Sequence, residues 1–305
     1  MSERIAVVGV GRMGGNMARR LAEVGERVVA VCDRVTSRAK QLAQELNCEA
    51  PRSLAKVTAL ADVILTVVTD DAAMDSIFPK NRGGLLTHAG GRLFINCATV
   101  SPECHARVEE RATQVGAETL EACMASSVEH ARRGALYLMC GGRRETFERA
   151  LPLLKKLGRE VRYIGETGEA ARMKLIVNLV MNANTAALAE GMGLADALGM
   201  DLSLVREVLD KTGAASRVLE TDGEDMEKRE YQCYFSAAHA TKDINLAVRM
   251  ARRCRLELPI ASAAKRQYIR LLKTGLGDLD KSAISELTFR ERGFITRRRA
   301  ERHAS

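Results

Sequence analysis

The sequence predicts an α/β domain with a mainly parallel sheet, followed by a long helix and an all-α domain. Up to Gly165, short β-branched runs alternate with amphipathic helical patterns, which is typical of a parallel sheet that helices cover on both faces. A glycine-rich turn joins the first run to the first helical pattern, and no strand pattern follows Glu169. We therefore expect an N-terminal domain over residues 1–165, an inter-domain helix over 166–199 and a helical domain over 200–305.

Seven runs of the first region qualify as strands, because each is short, apolar and rich in β-branched residues. Helical patterns lie between them, for example over Gly14–Glu23 and Arg38–Leu46. Short loops separate the later runs, so we expect some of these to be antiparallel additions to the sheet. The predicted strands are Ile5–Val10, Arg27–Cys32, Val63–Val68, Arg92–Asn96, Glu118–Ala122, Leu136–Cys140 and Val161–Tyr163.

The segment Ala170–Leu198 is apolar on nearly all sides, which is typical of a helix buried in protein. At 1.5 Å per residue it would extend for about 43 Å, enough to link two domains. Asp201, or Ser203 two residues later, is expected to cap the next helix. Further helical patterns follow at Leu202–Thr212, Phe235–Cys254, Pro259–Thr274 and Ser282–Gly293.

Composition excludes several classes of function. The 305 residues include 4% aromatic side chains and no Trp, too few to form a stacking surface for single-stranded nucleic acid. The formal net charge is +8, of which six Arg and two Glu between Arg290 and Ser305 supply +4, and the remaining excess suits an enzyme whose ligands are anions. Polar side chains interrupt the most apolar segment, so it does not resemble a membrane span. We expect neither a nucleic-acid nor a membrane partner.

Cysteine usage favours a reducing compartment. The eight cysteines form no CxxC pair, and four of them lie in apolar or strand-like runs: Cys32, Cys97, Cys123 and Cys140. Buried free thiols explain this pattern. The first apolar run is too short for the core of a signal peptide. We therefore expect a cytoplasmic protein.

Histidine spacing gives no indication of a metal site. None of the histidines His88, His105, His130 and His239 has metal-ligand spacing with cysteines or carboxylates. We interpret them as surface or loop residues and expect no metal.

The turn Gly9-Val10-Gly11-Arg12-Met13-Gly14 fits a dinucleotide phosphate site, because it directly follows a strand and opens a helix. Gly9 would permit the tight turn, Gly11 would let pyrophosphate approach the main chain, and Gly14 would let helix and strand pack closely. The amino end of the helix offers unpaired N–H groups to the phosphate. The predicted cofactor-binding residues here are Gly9, Val10, Gly11, Arg12, Met13 and Gly14.

Asp33 lies 19 residues after Gly14, at the end of the second predicted strand. A carboxylate there can accept hydrogen bonds from the adenosine ribose and would repel a 2′-phosphate, which favours NAD over NADP. The alternative stays open, because Arg34, with Thr36, Ser37 and Arg38, could form a 2′-phosphate pocket.

A polar stripe interrupts the long apolar helix. Lys174 and Asn178 are four residues apart and share one helical face, and Asn182 follows one turn later. Buried polar groups need partners or a ligand. An ammonium in a partly dry site could polarise a carbonyl and protonate the alkoxide that forms. The alternative is that Lys174 extends to solvent near the start of the helix.

Four blocks in order resemble the β-hydroxyacid dehydrogenases. This family includes 3-hydroxyisobutyrate dehydrogenase, tartronate semialdehyde reductase and succinic semialdehyde or glyoxylate reductases, and is related to 6-phosphogluconate dehydrogenase. The resemblance extends from Ile5 to about Glu286. It rests on Val8–Met17, Gly165–Asn178, Lys242–Ala247 and Gly275–Ala283.

The resemblance implies a Rossmann-type N-terminal domain, an inter-domain helix and an all-α C-terminal domain, with the active site between the domains. It implies that Lys174 is the catalytic acid/base and that Asn178 orients the substrate. Lys242 would lie near the nicotinamide or the substrate. It also implies a homo-oligomer, a dimer or tetramer, formed through the helical domain. Further cofactor contacts would come from Val68, Thr69 and Thr99.

One block departs from the family. The substrate loop usually reads D-A-P-V-S-G-G, whereas this chain has Glu121–Ser127. The usual serine is replaced by Ala125, and both glycines are replaced by Ser126 and Ser127. Those groups normally hold the substrate carboxylate, and the two new hydroxyls are candidates to replace them.

Together these observations predict an NAD(P)-dependent oxidoreductase that acts on a small anionic aldehyde or 3-hydroxy acid. Lys174 and Asn178 are the predicted catalytic residues. Ala125, Ser126, Ser127, Asn178 and Lys242 are the predicted substrate contacts. The altered loop keeps a second hypothesis open, a catalytically silent NAD(P)-binding scaffold or sensor.

Overall fold

A computed structural model describes residues 3–80 and 84–289. The chain divides into two compact units, of which the first ends at Lys174 and the second begins at Leu175. The three-part division predicted at residues 165 and 199 stays a prediction.

The first unit contains a seven-stranded sheet in the order β2-β1-β3-β4-β5-β6-β7. Strands β1 to β5 are parallel, β6 is antiparallel to β5, and β7 is parallel to β6. All seven predicted strands are present, β2 with the predicted ends and the other six with shifted ends, and the expected antiparallel additions are β6 and β7. The strands are β1 (Arg4–Val8), β2 (Arg27–Cys32), β3 (Val63–Thr66), β4 (Leu93–Asn96), β5 (Glu118–Met124), β6 (Leu136–Gly141) and β7 (Gly158–Gly165).

Helices cover both faces of this sheet. Along β1, Ile5 and Val7 face one apolar cluster, whereas Ala6 and Val8 face another. A parallel sheet needs this double cover, because both of its faces are apolar. The helices are α1 (Arg12–Glu23), α2 (Thr36–Leu46), α3 (Leu54–Leu60), α4 (Asp71–Ile77), α5 (Pro102–Thr113), α6 (Val128–Arg133) and α7 (Arg144–Leu157), with a 3₁₀ turn at Gly84–Leu86. The Rossmann-type α/β fold is confirmed.

The carboxyl ends of the parallel strands are aligned at one edge of the sheet. Val8 pairs with Cys32 on one side and with Thr66 on the other. Thr66 pairs in turn with Asn96, and Asn96 with Glu121. The loops that follow these strands therefore emerge side by side, where ligands of open α/β sheets bind.

Helix α8 (Glu169–Ala197) begins in the first unit and continues into the second. The second unit is helical, and its described residues contain no strand. Among the described helices, none is both long and apolar enough to cross a membrane. The remaining elements are α9 (Leu202–Asp210), α10 (Arg217–Lys228), α11 (Ala237–Arg253), α12 (Pro259–Lys273) and a 3₁₀ segment at Lys281–Leu287.

Two details of the second unit differ from the sequence expectations. The predicted helix Ser282–Gly293 is a 3₁₀ segment as far as Leu287, and its last residues lie outside the described part of the chain. Helix α10 was not predicted, because it buries the polar Asp222 and the glycine Gly223 where the helical pattern calls for apolar residues. Of the two cap candidates for α9, Asp201 accepts a hydrogen bond from the Ser203 backbone N–H.

All eight cysteines are free thiols, and the four expected to be buried are buried. This confirms the expectation of buried free thiols.

A group of buried polar side chains lies in the helical unit, where Lys281 forms an ion pair with Asp222. Thr185 of α8 donates a hydrogen bond to the same carboxylate over 3.1 Å.

Asp225 makes the stability of the helical unit depend on pH. Burial raises the pKa of Asp225 to about 6, and the carboxylates of Asp280 and Asp222 add to this shift. The folded state therefore retains a proton that the unfolded state releases near pH 3.8. Because the folded-state pKa is the higher one, the free energy of unfolding is expected to fall as pH rises through this window, by about 1 kcal/mol after allowance for solvent screening.

Urea unfolding at pH values on either side of that window, followed by circular dichroism, measures this change. Asp225→Asn should remove the fall and stabilise the protein at neutral pH, whereas the exposed-site control Glu207→Gln should leave it unchanged. Identical pH dependence in wild type and Asp225→Asn would contradict the assignment.

Candidate active site

The turn between β1 and α1 requires glycine at two positions. Gly9 has a φ of +90°, and a Cβ there would overlap the Val67 carbonyl. A Cβ on Gly14 would overlap the carbonyl oxygen of Gly9, so α1 could not pack this closely against the turn. Both positions therefore have the backbone roles that the sequence predicts for them.

Gly11 has a different role. It is the residue before α1, and the nearest atom to a Cβ placed there is Nη1 of Arg38, at 4.0 Å. The main chain is therefore open at Gly11, and the unpaired N–H groups at the start of α1 can face an anion. This open backbone between two obligatory glycines fits the pyrophosphate of a dinucleotide.

Asp33 holds the glycine turn through its side chain. Its carboxylate accepts hydrogen bonds from the backbone N–H groups of Val10 and Val35, each over 2.8 Å. Arg38 Nη1 lies 3.8 Å from Asp33 Oδ2. A carboxylate has about four acceptor sites, so about two remain open after these two bonds. The bond to Val10, which the sequence did not predict, fixes the glycine turn relative to β2.

The other predicted cofactor residues lie in loops at the same edge of the sheet. Val68 and Thr69 follow β3, and Thr99 follows β4. Thr69 donates a hydrogen bond to Asp70, the residue that caps α4. The structure therefore brings these loops to the edge that carries the glycine turn.

The altered substrate loop is a capped helix start. Ser126 donates its hydroxyl to the Ala125 carbonyl oxygen over 2.7 Å and accepts from the Tyr137 N–H over 2.9 Å. Ser127 caps α6 and lies 2.6 Å from Nδ1 of His130. Neither serine has a positive φ, so the left-handed geometry that glycines could provide is not used here. The hydroxyls that we considered as replacements are already engaged within the loop.

Lys174 lies in the second turn of α8 and is only 8% exposed. The start of this helix is held by Glu121 of β5, whose carboxylate accepts hydrogen bonds from the backbone N–H groups of Gly168 and Ala171. A carboxylate at a helix N-terminus is also favoured by the helix dipole. Glu121 therefore positions the turn that precedes Lys174. The alternative in which Lys174 extends to solvent does not agree with its burial.

One turn further along α8, Asn178 is 1% exposed and donates from Nδ2 to Asp243 Oδ2 over 2.6 Å. Lys242 Nζ forms an ion pair with the other oxygen of Asp243 at 2.9 Å. Since a carboxylate only accepts, Asp243 fixes the orientation of the Asn178 amide. Asn178 Oδ1 is buried and has no hydrogen-bond partner among the described residues.

Sequence reasoning missed three features of these sites. The sequence motif indicates a role for Lys242 but not for its neighbour Asp243, and it indicates Glu121 only as part of the substrate loop. The interpretation of His105 as a surface or loop residue was wrong: it is 2% exposed and lies in α5. The available signal for His105 was its apolar helical face, with Cys104, Val108 and Ala112 buried in the same helix.

Two family models match the chain. The model described as the NAD binding domain of 6-phosphogluconate dehydrogenase covers residues 4–165. The model described as NAD-binding of NADP-dependent 3-hydroxyisobutyrate dehydrogenase covers residues 168–288.

Individual proteins are similar over almost the whole chain. Glyoxylate/succinic semialdehyde reductase 1 of Arabidopsis thaliana is 30% identical over 92% of this chain and 97% of its own. 2-Hydroxy-3-oxopropionate reductase of Escherichia coli K12 is 28% identical over 92% of this chain and 95% of its own. The solved structure of Mycobacterium tuberculosis 3-hydroxyisobutyrate dehydrogenase with L-serine has a TM-score of 0.84 and 25% identity, and covers 94% of this chain and 99% of that one.

Proposed function

We propose that this chain, which belongs to the β-hydroxyacid dehydrogenase family, interconverts a small anionic aldehyde and its hydroxy acid, with a bound nicotinamide supplying or accepting the hydride. The chain is an NAD(P)-dependent oxidoreductase, and its cofactor is NAD or NADP. The observation that carries the proposed roles is the buried polar stripe of α8, in which Lys174 and Asn178 lie one turn apart.

Cofactor binding is assigned to the glycine turn and its neighbours. Backbone N–H groups from Gly11 to Gly14 would face the pyrophosphate, and the remaining acceptor sites of Asp33 would take the ribose hydroxyls. We propose a preference for NAD, because a 2′-phosphate would meet the Asp33 carboxylate. Arg34 and Arg38 are the residues that would reverse this preference.

Lys174 is the proposed proton donor and acceptor. During reduction its ammonium polarises the carbonyl oxygen and gives that oxygen a proton, and during oxidation the neutral amine takes the hydroxyl proton back. Its burial in the first unit excludes most water from the amine, which strengthens its electrostatic effect on the developing alkoxide. Such proton transfer typically contributes about 10²–10⁴-fold to a rate.

Asn178 is the proposed orienting residue. Its Nδ2 group is committed to Asp243, so its free Oδ1 atom accepts from the hydroxyl of the substrate. An unmet buried acceptor costs about 1–3 kcal/mol, which a bound hydroxyl would recover. Asp243 is a positioning residue in this scheme, since it acts by holding the Asn178 amide.

The relatives act, by name, on glyoxylate, succinic semialdehyde and 2-hydroxy-3-oxopropionate, all of them short anionic carbonyl compounds. We propose the same chemical class here. Because Ser126 and Ser127 are engaged within their loop, the Lys242 ammonium, about a quarter exposed, is the proposed partner of the substrate carboxylate. Ala125, Ser126 and Ser127 would shape the space around the substrate.

A panel of substrates with both cofactors tests the proposal. Glyoxylate, succinic semialdehyde and other short semialdehydes with NADH or NADPH, and 3-hydroxy acids with NAD or NADP, are followed by nicotinamide absorbance. We expect turnover of at least one anionic substrate, with NADH favoured over NADPH. A preference for NADPH would assign the ribose site to Arg34 and Arg38 instead of Asp33.

The altered loop favours one competing function, a silent NAD(P)-binding scaffold. That hypothesis expects tight cofactor binding with no turnover above Lys174→Ala for any substrate in the panel. Turnover that depends on Lys174 would exclude it.

We also propose a homo-oligomer, dimer or tetramer, formed through the helical unit of a cytoplasmic protein. Exposed apolar side chains recur at i and i+4 on two consecutive helices, which is typical of a surface that another chain covers. These are Leu194 in the last turn of α8 and Leu198 directly after it, 63% and 68% exposed, and Leu204 and Val208 of α9, 55% and 53% exposed.

Sedimentation velocity at micromolar concentration should therefore show a dimer or tetramer. The double variant Leu194→Glu/Leu198→Glu is expected to weaken self-association by roughly a hundredfold, because four charges would be buried across a two-fold interface. Ile260→Glu, at an exposed position of α12, is the matched control and should keep the wild-type mass. A wild-type protein that sediments as a monomer would overturn the proposal.

A further inference from the structure

The first unit contains a buried cluster of three side chains, of which only Glu121 has a role so far, in holding the start of α8. The ligand atoms of His105, Glu121 and Cys123 all lie within 4.8 Å of one another. The three side chains are at most 2% exposed. They therefore combine one imidazole, one carboxylate and one thiol at a single buried point.

The fold explains why these side chains meet. Glu121 and Cys123 are two residues apart on β5 and so project from the same face of the sheet. His105 lies in the first turn of α5, just after the cap residue Ser101, and α5 packs on β5. The alternation of side chains along β5 and the packing of α5 on that strand therefore bring His105 close to Glu121 and Cys123, although His105 is distant from them in the sequence.

His105 is the unexplained member of the cluster. Both of its ring nitrogens are buried and lack a hydrogen-bond partner among the described residues. Leaving a buried polar atom unsatisfied costs about 1–3 kcal/mol. A metal ion, which accepts an electron pair from an imidazole nitrogen, would remove this cost at one of the two nitrogens.

The chemistry of the three side chains favours a divalent cation of borderline softness. Thiolate and imidazole ligands select Zn²⁺ over Mg²⁺ and Ca²⁺, which prefer oxygen. One thiolate and one carboxylate would also neutralise the two charges of the ion, as a buried site requires. From this geometry we infer that His105, Glu121 and Cys123 form a Zn²⁺ site.

A supporting shell for such an ion is already present. The Glu121 carboxylate is held by the N–H groups of Gly168 and Ala171, and oriented ligands of this kind are typical of metal sites. The third ligand, Cys123, is a buried free thiol. Binding converts this thiol to a thiolate and releases its proton to the buffer.

Cobalt binding tests the site without any measurement of turnover. Full-length protein, stripped with EDTA and kept in a reductant that contains no thiol, is titrated with Co²⁺ alone and then with Zn²⁺ alone. We expect one equivalent of Co²⁺ to give a thiolate charge-transfer band in the near ultraviolet, which one equivalent of Zn²⁺ removes. Zn²⁺ should also raise the melting temperature, because it binds the folded state.

Variants identify the ligands. Cys123→Ser should abolish the band and weaken Zn²⁺ binding by roughly a hundredfold or more, and His105→Gln should weaken it by at least about tenfold. The exposed residues Cys254 and His130 supply matched controls, since Cys254→Ser and His130→Gln should bind within about twofold of wild type.

X-ray absorption at the zinc edge keeps the inference testable if a variant does not fold. The wild-type complex should show a single sulfur ligand at about 2.3 Å. The inference is overturned by a zinc complex without sulfur or with two or more sulfurs, by a folded protein that gives no cobalt band, or by Cys123→Ser binding Zn²⁺ as tightly as wild type.

Discussion

Replacing Lys174 with alanine is expected to lower kcat/KM by about 10³-fold while leaving cofactor affinity within about threefold of wild type. The amine is the proposed proton donor and is buried in the second turn of α8, where water cannot easily replace it. The glycine turn and Asp33, which are assigned to the cofactor, are not altered by the change. Steady-state kinetics with the best substrate of the panel, together with a fluorescence titration of NADH, measure both quantities.

Two further variants of α8 show whether the loss comes from the amine itself. Lys174→Arg keeps a positive charge but does not release a proton near neutral pH, so it should remain strongly impaired. Arg172→Ala removes a neighbouring cation that is exposed and paired with Glu169, and should keep near-wild-type activity. Equal losses in Lys174→Ala and Arg172→Ala would contradict a chemical role for Lys174.

Gly14→Ala is expected to cause the second large loss, by weakening cofactor binding at least about thirtyfold. Its Cβ would overlap the Gly9 carbonyl oxygen, so α1 or the turn must move. Inserting a carbon into packed structure typically costs 1–3 kcal/mol, and here the displaced atoms are those that would face the pyrophosphate. Isothermal titration with NADH and thermal unfolding measure the two effects.

Gly15→Ala is the matched control for this change. It adds the same methyl group to the next residue of the same helix, where the nearest backbone atom is the Val10 carbonyl oxygen at 3.4 Å. Alanine also favours a helix interior over glycine by about 1 kcal/mol. Gly15→Ala should therefore bind NADH within about twofold of wild type. If Gly14→Ala binds equally well, the close packing described for Gly14 has no functional role.

Sequence periodicity was sufficient to predict the sheet and the long helix. Buried parallel strands are continuous apolar runs, and a glycine turn must follow the first of them if a dinucleotide is to bind, so both signals are local. Helix α10 was missed because Asp222 is buried through its ion pair with Lys281. A tertiary contact determines that burial, and a hydropathy pattern does not contain it.

The candidate site was predictable only in part for the same reason. Lys174 and Asn178 share a helical face that can be identified from spacing alone, and their burial agrees with that prediction. The bond between Asn178 and Asp243 joins α8 to α11, and sequence spacing does not reveal it. In the substrate loop, the residue types suggested free hydroxyls, whereas Ser127 is used to cap α6.

The central claim is that Lys174 supplies the proton. Single-turnover kinetics, with enzyme saturated by reduced cofactor, are its most direct test. Mixing this complex with a substrate aldehyde in a stopped-flow instrument isolates the chemical step from binding and product release. We predict that Lys174→Ala slows cofactor oxidation by about 10³-fold and that Arg172→Ala leaves it unchanged. A Lys174→Ala complex that oxidises its cofactor at the wild-type rate would contradict the mechanism.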